Sequence, residues 1–269
     1  MVGREIGVAN YHKSICSLYY LDLTAGNGVV EQSEVWSEAC TPGILARYAL
    51  DAVKPVHITL YEQKGSTVGR LLESLDSQFP LLRSSRFPGK RYERTGLWTW
   101  RASNVELTVI HGSGAEADVS HIKPRHSVFV LNDPNAITDW AMRPGFCAEL
   151  DQLTPWFRNI STMGCNVGGI KRLTRAQREA WFNWLSDQEA ALPNHRDLLL
   201  VAIRPDSSQW AYLLCEPIKW RARVEREVRQ SIAGIGKNVE IAWFRTQSQE
   251  YEFLKRELFL TKAELRSES

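Results

Sequence analysis

The chain has no Cys-x-x-Cys pair. Its five cysteines among 269 residues (Cys16, Cys40, Cys147, Cys165 and Cys215) are scattered and odd in number. That pattern argues against a disulfide framework and for reduced thiols in a reducing compartment. The opening residues, MVGREIGVANYHKS, lack the apolar stretch of a secretion signal, and no later run is apolar enough to cross a membrane. A cytoplasmic location is therefore expected. Charge of one sign is also scarce. A formal net charge of +2 is too small to draw a polyanion through net charge alone, so the local distribution of charge matters more. Internal repeats and low-complexity tracts are absent. The histidines His111, His121 and His126 fit no standard ligand spacing and no cysteine joins them, so no metal is expected.

What is present is the mix of a soluble globular protein, 43% hydrophobic and 24% charged, able to bury a large core. Ten tryptophans are many for this length, and several should pack between helix and sheet or at a binding surface. Short apolar runs alternate with helical spacing. Leu18–Leu23, Val56–Tyr61, Val105–Ile110 and Ser127–Leu131 read as strands, with Ile160–Cys165 a weaker fifth. Gly43–Val53, started by Pro42, and Thr67–Phe79, with Leu71, Leu72 and Leu75 inward, read as helices. Thr174-Arg-Ala-Gln177 has the form of a capping box opening a helix through Leu192, with Trp181, Trp184 and Leu185 on one stripe. Leu198–Ile203 and Trp210–Cys215 read as strands around a polar turn, followed by a charged helix Trp220–Ala233 and a last strand Val239–Phe244.

This order predicts an α/β fold: a mainly parallel, doubly wound sheet with helices on both faces, built as a single domain over 1–269. Right-handed crossovers would line the loops after each strand along one edge, where ligands of such folds bind. The clearest interruption, 80–101, reads as an insertion before the third strand.

The most informative stretch is Asp22-Leu-Thr-Ala-Gly-Asn-Gly28. A strand ending in Gly-x-Gly turns sharply and lets main chain approach a ligand, because glycine has no side chain in the way. Glu62, 34 residues beyond Gly28, ends the second strand, where a carboxylate can accept hydrogen bonds from both hydroxyls of a ribose. The same glycines also suit an ordinary tight turn.

On these residues the chain resembles the Rossmann-like class I methyltransferases, which use S-adenosylmethionine. The resemblance implies cofactor contacts from Asp22, Thr24, Ala25, Gly26, Asn27, Gly28 and Glu62, with Thr24 standing where the first motif glycine is usual. The run Tyr20–Gly28 is especially similar to the three-Cys-motif partner family, a methyltransferase-like group. The likeness extends over roughly Tyr11 to Trp140 and fades afterwards. After the third strand, His111-Gly-Ser-Gly114 places Ser113 where family members often carry an acid for the adenine amine. A hydroxyl can accept there, and a plain Gly-rich turn is the other reading.

The fourth loop, Asn132-Asp-Pro-Asn135, falls where the class places its catalytic motif, so the resemblance gives Asn132, Asp133 and Pro134 that role. Amino-directed members continue with Pro and an aromatic ring that stacks on the base, whereas this chain has Asn135-Ala136. Trp140 is a candidate replacement or a core residue, and Asp133 is alternatively a helix cap. No Pro-Cys follows the strand, which disfavours carbon-5 cytosine chemistry.

Leu81–Arg101 holds Arg83, Arg86, Lys90, Arg91, Arg94 and Arg101 against one acid, Glu93, with Phe87, Tyr92, Trp98 and Trp100 interleaved. Cations that neutralise phosphates and rings that stack on bases suit nucleic acid, with Arg86, Lys90, Arg91, Arg94, Trp98 and Trp100 as the contacts. The alternative is a solvated basic loop whose Trp-x-Trp packs as an edge hairpin. Lys219, Arg221, Arg223, Arg226 and Arg229 are diluted by Glu225 and Glu227, which favours a salt-bridged exposed helix face. His12 and Lys13 could line a cofactor entrance or lie on the surface. The expectation is thus a methyltransferase acting on a DNA or RNA base, for instance in DNA modification. The alternative is a non-catalytic relative that binds nucleic acid or protein. Oligomeric state is left open.

Overall fold

The computed structural model describes residues 7, 9–26, 49, 52–78, 96–102, 104–133, 142–162, 172–204, 210–233 and 238–267. They divide into two compact units, Met1–Asn132 with Gln152–Phe157, and Asp133–Asp151 with Arg158–Ser269. Most of the expected helix Gly43–Val53 and of the expected insertion lies outside the described residues; Ala52 and Val53, which are described, are not helical.

In the first unit, β1 (Ser17–Asp22), β2 (Val56–Glu62), β4 (Val105–His111) and β5 (His126–Asn132) run parallel, in the order β4-β2-β1-β5. Numbering only these parallel strands gives 3-2-1-4, the order of a doubly wound Rossmann-like sheet. Burial is nearly continuous along β1, whereas β2 and β4 alternate between buried apolar residues and the half-buried His57, Thr59, Glu106 and Thr108. Leu18, Tyr20, Leu21, Ile58, Leu60, Leu107, Val109 and Val130 are all buried. Helix α1 (Gly65–Gln78) turns Val68, Leu71 and Leu75 inward, each burial contributing on the order of 1.5–3 kcal/mol, while Leu72 is only half-buried.

Strand β3 (Leu97–Ala102) pairs antiparallel with β4, Trp100 opposite Leu107. The end of the expected insertion is therefore an edge hairpin. Trp100 is 1% exposed, and its indole N–H donates to Asp76 of α1 at 3.3 Å. A ring so enclosed has no free face, which removes Trp100 from the nucleic-acid contacts. Trp98, on the same face of the strand, is half-buried.

The second unit contains the helix α2 (Phe146–Leu153) as far as Asp151, and all of strand β6 (Phe157–Thr162) but its first residue. Helix α3 (Arg175–Ala190) opens on the expected capping box, with Thr174 and Gln177 bonding reciprocally, and buries Trp181, Trp184 and Leu185. Strands β7 (Arg196–Arg204), β8 (Trp210–Pro217) and β9 (Asn238–Trp243), with β6, take the order β6-β8-β7-β9, and the pairs are antiparallel. The parallel character expected of the whole sheet thus belongs to the first unit. A connection as short as 205–209 joins β7 to β8, and a parallel crossover needs a dozen residues or more.

Helix α4 (Arg221–Ile232) covers one face, where Leu199, Val201, Ile203, Leu214, Val224, Val228 and Trp243 form a core. Arg223 pairs with Glu227 at 2.7 Å and Arg221 with the buried Asp197 at 2.8 Å, so part of the basic helix is tied down by acids. Helices α5 (Ser248–Phe259) and α6 (Lys262–Ser267) complete the chain. The sequence pattern does not foretell α2, α5 or α6. Among the described residues no helix is long and apolar enough to cross a membrane.

Candidate functional site

Where β1 ends at Asp22, the chain bends over Leu23–Gly26 and is pinned to both neighbouring strands. Leu23 N–H donates to the Leu131 carbonyl and Ala25 N–H to the Tyr61 carbonyl, each at 2.9 Å. Thr24 N–H donates to the carboxylate of Asp22 at 3.0 Å, which closes a local turn, and Asp22 is 1% exposed. Gly26 has φ +64°, the left-handed region that costs other residues roughly 1–2 kcal/mol.

Glu62 comes to this bend from the end of β2. Its Oε2 accepts the Gly26 N–H at 3.0 Å across 36 residues, and its Oε1 accepts the Lys64 N–H at 2.8 Å. The carboxylate is buried, with the residue 8% exposed. Each oxygen has a further lone pair beyond these bonds. Asn27 and Gly28 lie outside the described residues.

The loop after β4 presses on the same bend. A side chain at Gly114 would place its Cβ 2.7 Å from Leu23 Cβ and closer still to the Leu23 carbonyl oxygen, so only glycine fits without backbone movement. Ser113 Oγ accepts the Ala115 N–H at 3.2 Å and caps the 3-10 turn Gly114–Glu116. The Gly-Ser-Gly spelling is visible in the sequence, but the contact it serves is not.

Asn132, 3% exposed, is the last residue of β5. Asp133 follows it, is exposed, and accepts a hydrogen bond from Thr162 Oγ1 at the end of β6. Thr162 stands opposite Tyr212 of β8. Burial first, and the Asp133 carboxylate second, push the Tyr212 phenol above its ordinary range. Sequence alone does not single out Tyr212, because only the strand pairing brings it there. Pro134 and Trp140 lie outside the described residues, as do Arg86, Lys90, Arg91 and Arg94.

Other sequence candidates sit elsewhere. Arg101 bonds Glu106 at 2.6 Å. His12 precedes β1 and packs its ring against Trp156 at 4.5 Å. It therefore lies at the end of the sheet where β1 begins, opposite the bend, and cannot line a cofactor entrance there. His57 and His126 stack on Tyr19 at 4.5 and 4.7 Å, and His121 is tilted against it at 5.3 Å. His111 instead bonds the Gln63 carbonyl at 3.1 Å. Among the described residues no group of three or more His, Cys, Asp or Glu is arranged to hold a metal ion.

No protein-family model matches the chain, and no curated protein does. Solved structures similar to it include a protein named as an rRNA methylase from Clostridium thermocellum, at 11% identity and TM-score 0.42, covering 81% of this chain and 97% of that one. A human methyltransferase 10 domain containing protein matches at 10% identity and TM-score 0.38, covering 79% and 77%. Spermidine synthase from Thermotoga maritima matches at 14% identity and TM-score 0.39, covering 97% and 75%. At these identities and scores none of them carries an argument about substrate or cofactor. The Rossmann-like α/β fold stands on the strand pairing itself.

Proposed function

We propose that the protein is an S-adenosylmethionine-dependent methyltransferase that acts on a nucleic-acid base in the cytoplasm. The observation that carries the reading is the buried Glu62 carboxylate bonded to the backbone of the Gly26 bend. A carboxylate with lone pairs to share, beside main chain free of a Cβ, fits the sugar of an adenosyl group. The resemblance of Asp22–Gly28 to class I methyltransferases, and of Tyr20–Gly28 to the three-Cys-motif partner family, supports the same reading.

S-Adenosylmethionine, when bound, supplies a methyl group on a positively charged sulfur. Glu62 accepts hydrogen bonds from the ribose hydroxyls. The resemblance assigns the nucleoside contacts to Asp22, Thr24, Ala25, Gly26, Asn27 and Gly28, and Ser113 would accept from the adenine amine. Asn132, Asp133 and Pro134 hold the acceptor: the Asp133 carboxylate accepts a hydrogen bond from the acceptor amine and so orients the nitrogen lone pair. The basic segment with Arg86, Lys90, Arg91 and Arg94, and the half-buried Trp98, serves the polymer.

Titration calorimetry with S-adenosylmethionine tests the cofactor site. The chain is expected to bind, and Gly26→Ala and Glu62→Ala to weaken binding at least about ten-fold, the effect of roughly 1.4 kcal/mol. Unchanged affinity in both variants would remove the assignment. Transfer of labelled methyl to DNA, RNA and protein fractions tests the acceptor. Cofactor binding with no transfer to any fraction would establish the non-catalytic alternative, which the Asn135-Ala136 departure favours.

A further inference from the structure

Asn135-Ala136 follows Asp133-Pro134 where the methyltransferases that the chain resembles carry Pro and an aromatic ring, and within the second unit, to which Asp133 belongs, a ring stands close to that acid. Asp133 is bonded to Thr162, and Thr162 lies directly opposite Tyr212 in the β6–β8 ladder. Directly opposed residues of an antiparallel pair have Cβ atoms roughly 4.5–5.5 Å apart on the same face. Tyr212 is also paired with Val201 and packs at the margin of the core under α4, which steadies the ring while leaving it half-exposed. A carboxylate that accepts N–H, beside a steadied aromatic face, suits a planar heteroaromatic amine.

We propose that Tyr212 is the aromatic wall of the acceptor site, its ring receiving a nucleic-acid base whose amine is held by Asp133. This rests on the function proposed above and names the residue that replaces the missing aromatic of the fourth loop. The ring does the work and the hydroxyl does not, so Phe and Trp serve in its place and an aliphatic side chain does not.

The test measures anisotropy of labelled single-stranded DNA and RNA oligonucleotides containing all four bases, with the full chain and with Tyr212→Phe, Tyr212→Trp and Tyr212→Leu. Phe and Trp are expected to remain within about two-fold of the parent, and Leu to bind at least one oligonucleotide about ten-fold more weakly, as loss of one base stack implies. In the transfer assay Leu raises KM for the oligonucleotide, and calorimetry shows its S-adenosylmethionine affinity unchanged. Equal binding by Leu and the parent overturns the proposal, as does methyl label entering protein while neither oligonucleotide binds. Should the Leu variant fail to fold, ultraviolet crosslinking of the parent to bromouracil-containing oligonucleotide decides. A crosslink in the β8 peptide holding Tyr212 supports it, and crosslinks found only elsewhere overturn it. A parent that does not bind S-adenosylmethionine, yet loses oligonucleotide binding in the Leu variant, sinks the methyltransferase reading and leaves the wall standing.

Discussion

Glu62 is both a staple and a candidate ligand, and the two roles separate by substitution. Its two oxygens each accept a backbone N–H, from Gly26 and from Lys64. An amide at this position accepts with only one atom, so Glu62→Gln turns an N–H2 toward a buried donor. The expected loss is about 1–3 kcal/mol of stability, read from chemical denaturation without ligand. No loss would mean that the carboxylate does not hold the bend. Gly114→Ala is the companion case. Its new methyl meets the Leu23 main chain, which cannot rotate away. Destabilisation of about 1–3 kcal/mol is expected in the same measurement, together with weaker S-adenosylmethionine binding, because the bend itself must move.

At the scale of elements, β3 shows how composition misleads. Trp98 and Trp100 lie in a basic, aromatic stretch that reads as a nucleic-acid surface, but Trp100 is enclosed against α1, and only Trp98, on the same face of the strand, keeps part of its surface accessible. Trp100→Ala should therefore cost about 3–5 kcal/mol in denaturation, as for other buried large-to-small changes. Oligonucleotide affinity of the folded fraction should stay as it was. A stable variant with weakened affinity would return Trp100 to the binding surface. Arg91→Ala with Arg94→Ala tests the rest of the segment. Oligonucleotide binding should weaken, and the slope of log affinity against log salt should flatten by roughly 0.7 for each phosphate of a single strand that is no longer neutralised.

Across the whole molecule, the histidines of the first unit make stability depend on pH. Burial, reinforced for His126 by His57, Lys123 and His121, holds the imidazole below its usual range, and burial with His57 does the same for His121 against the opposing pull of Asp118. The unfolded chain thus binds more protons between the depressed values and about 6.5, so stability from these groups is lost as pH falls through that window. Tyr19 and the His57–Glu106 pair at 3.6 Å complete the surroundings. Asp197 and Glu189 of the second unit oppose the trend, since burial raises both carboxyls and protonation relieves them. The comparison therefore has to be between variants. His126→Gln should show a shallower fall in thermal midpoint between about pH 7 and about pH 5 than the parent. An identical slope would show that His126 does not contribute.

Sequence alone located most of the strands, the helices begun near Thr67, Thr174 and Trp220, the capping box at Thr174, and a glycine bend with an acid at the end of the next strand. All of these are written in neighbours a few residues apart, where backbone preference and burial pattern act directly. The short helices after Phe146 and Ser248 and the edge strand at Leu97 were less legible, because tertiary packing outweighs weak local preference there. Tertiary structure alone decided that Glu62 reaches Gly26, that Gly114 lies on Leu23, that Trp100 is enclosed, and that Tyr212 stands beside the Thr162–Asp133 pair. Each of these depends on which strands lie side by side and in what register. That is settled by burying the whole core at once, and no stretch of chain encodes it locally.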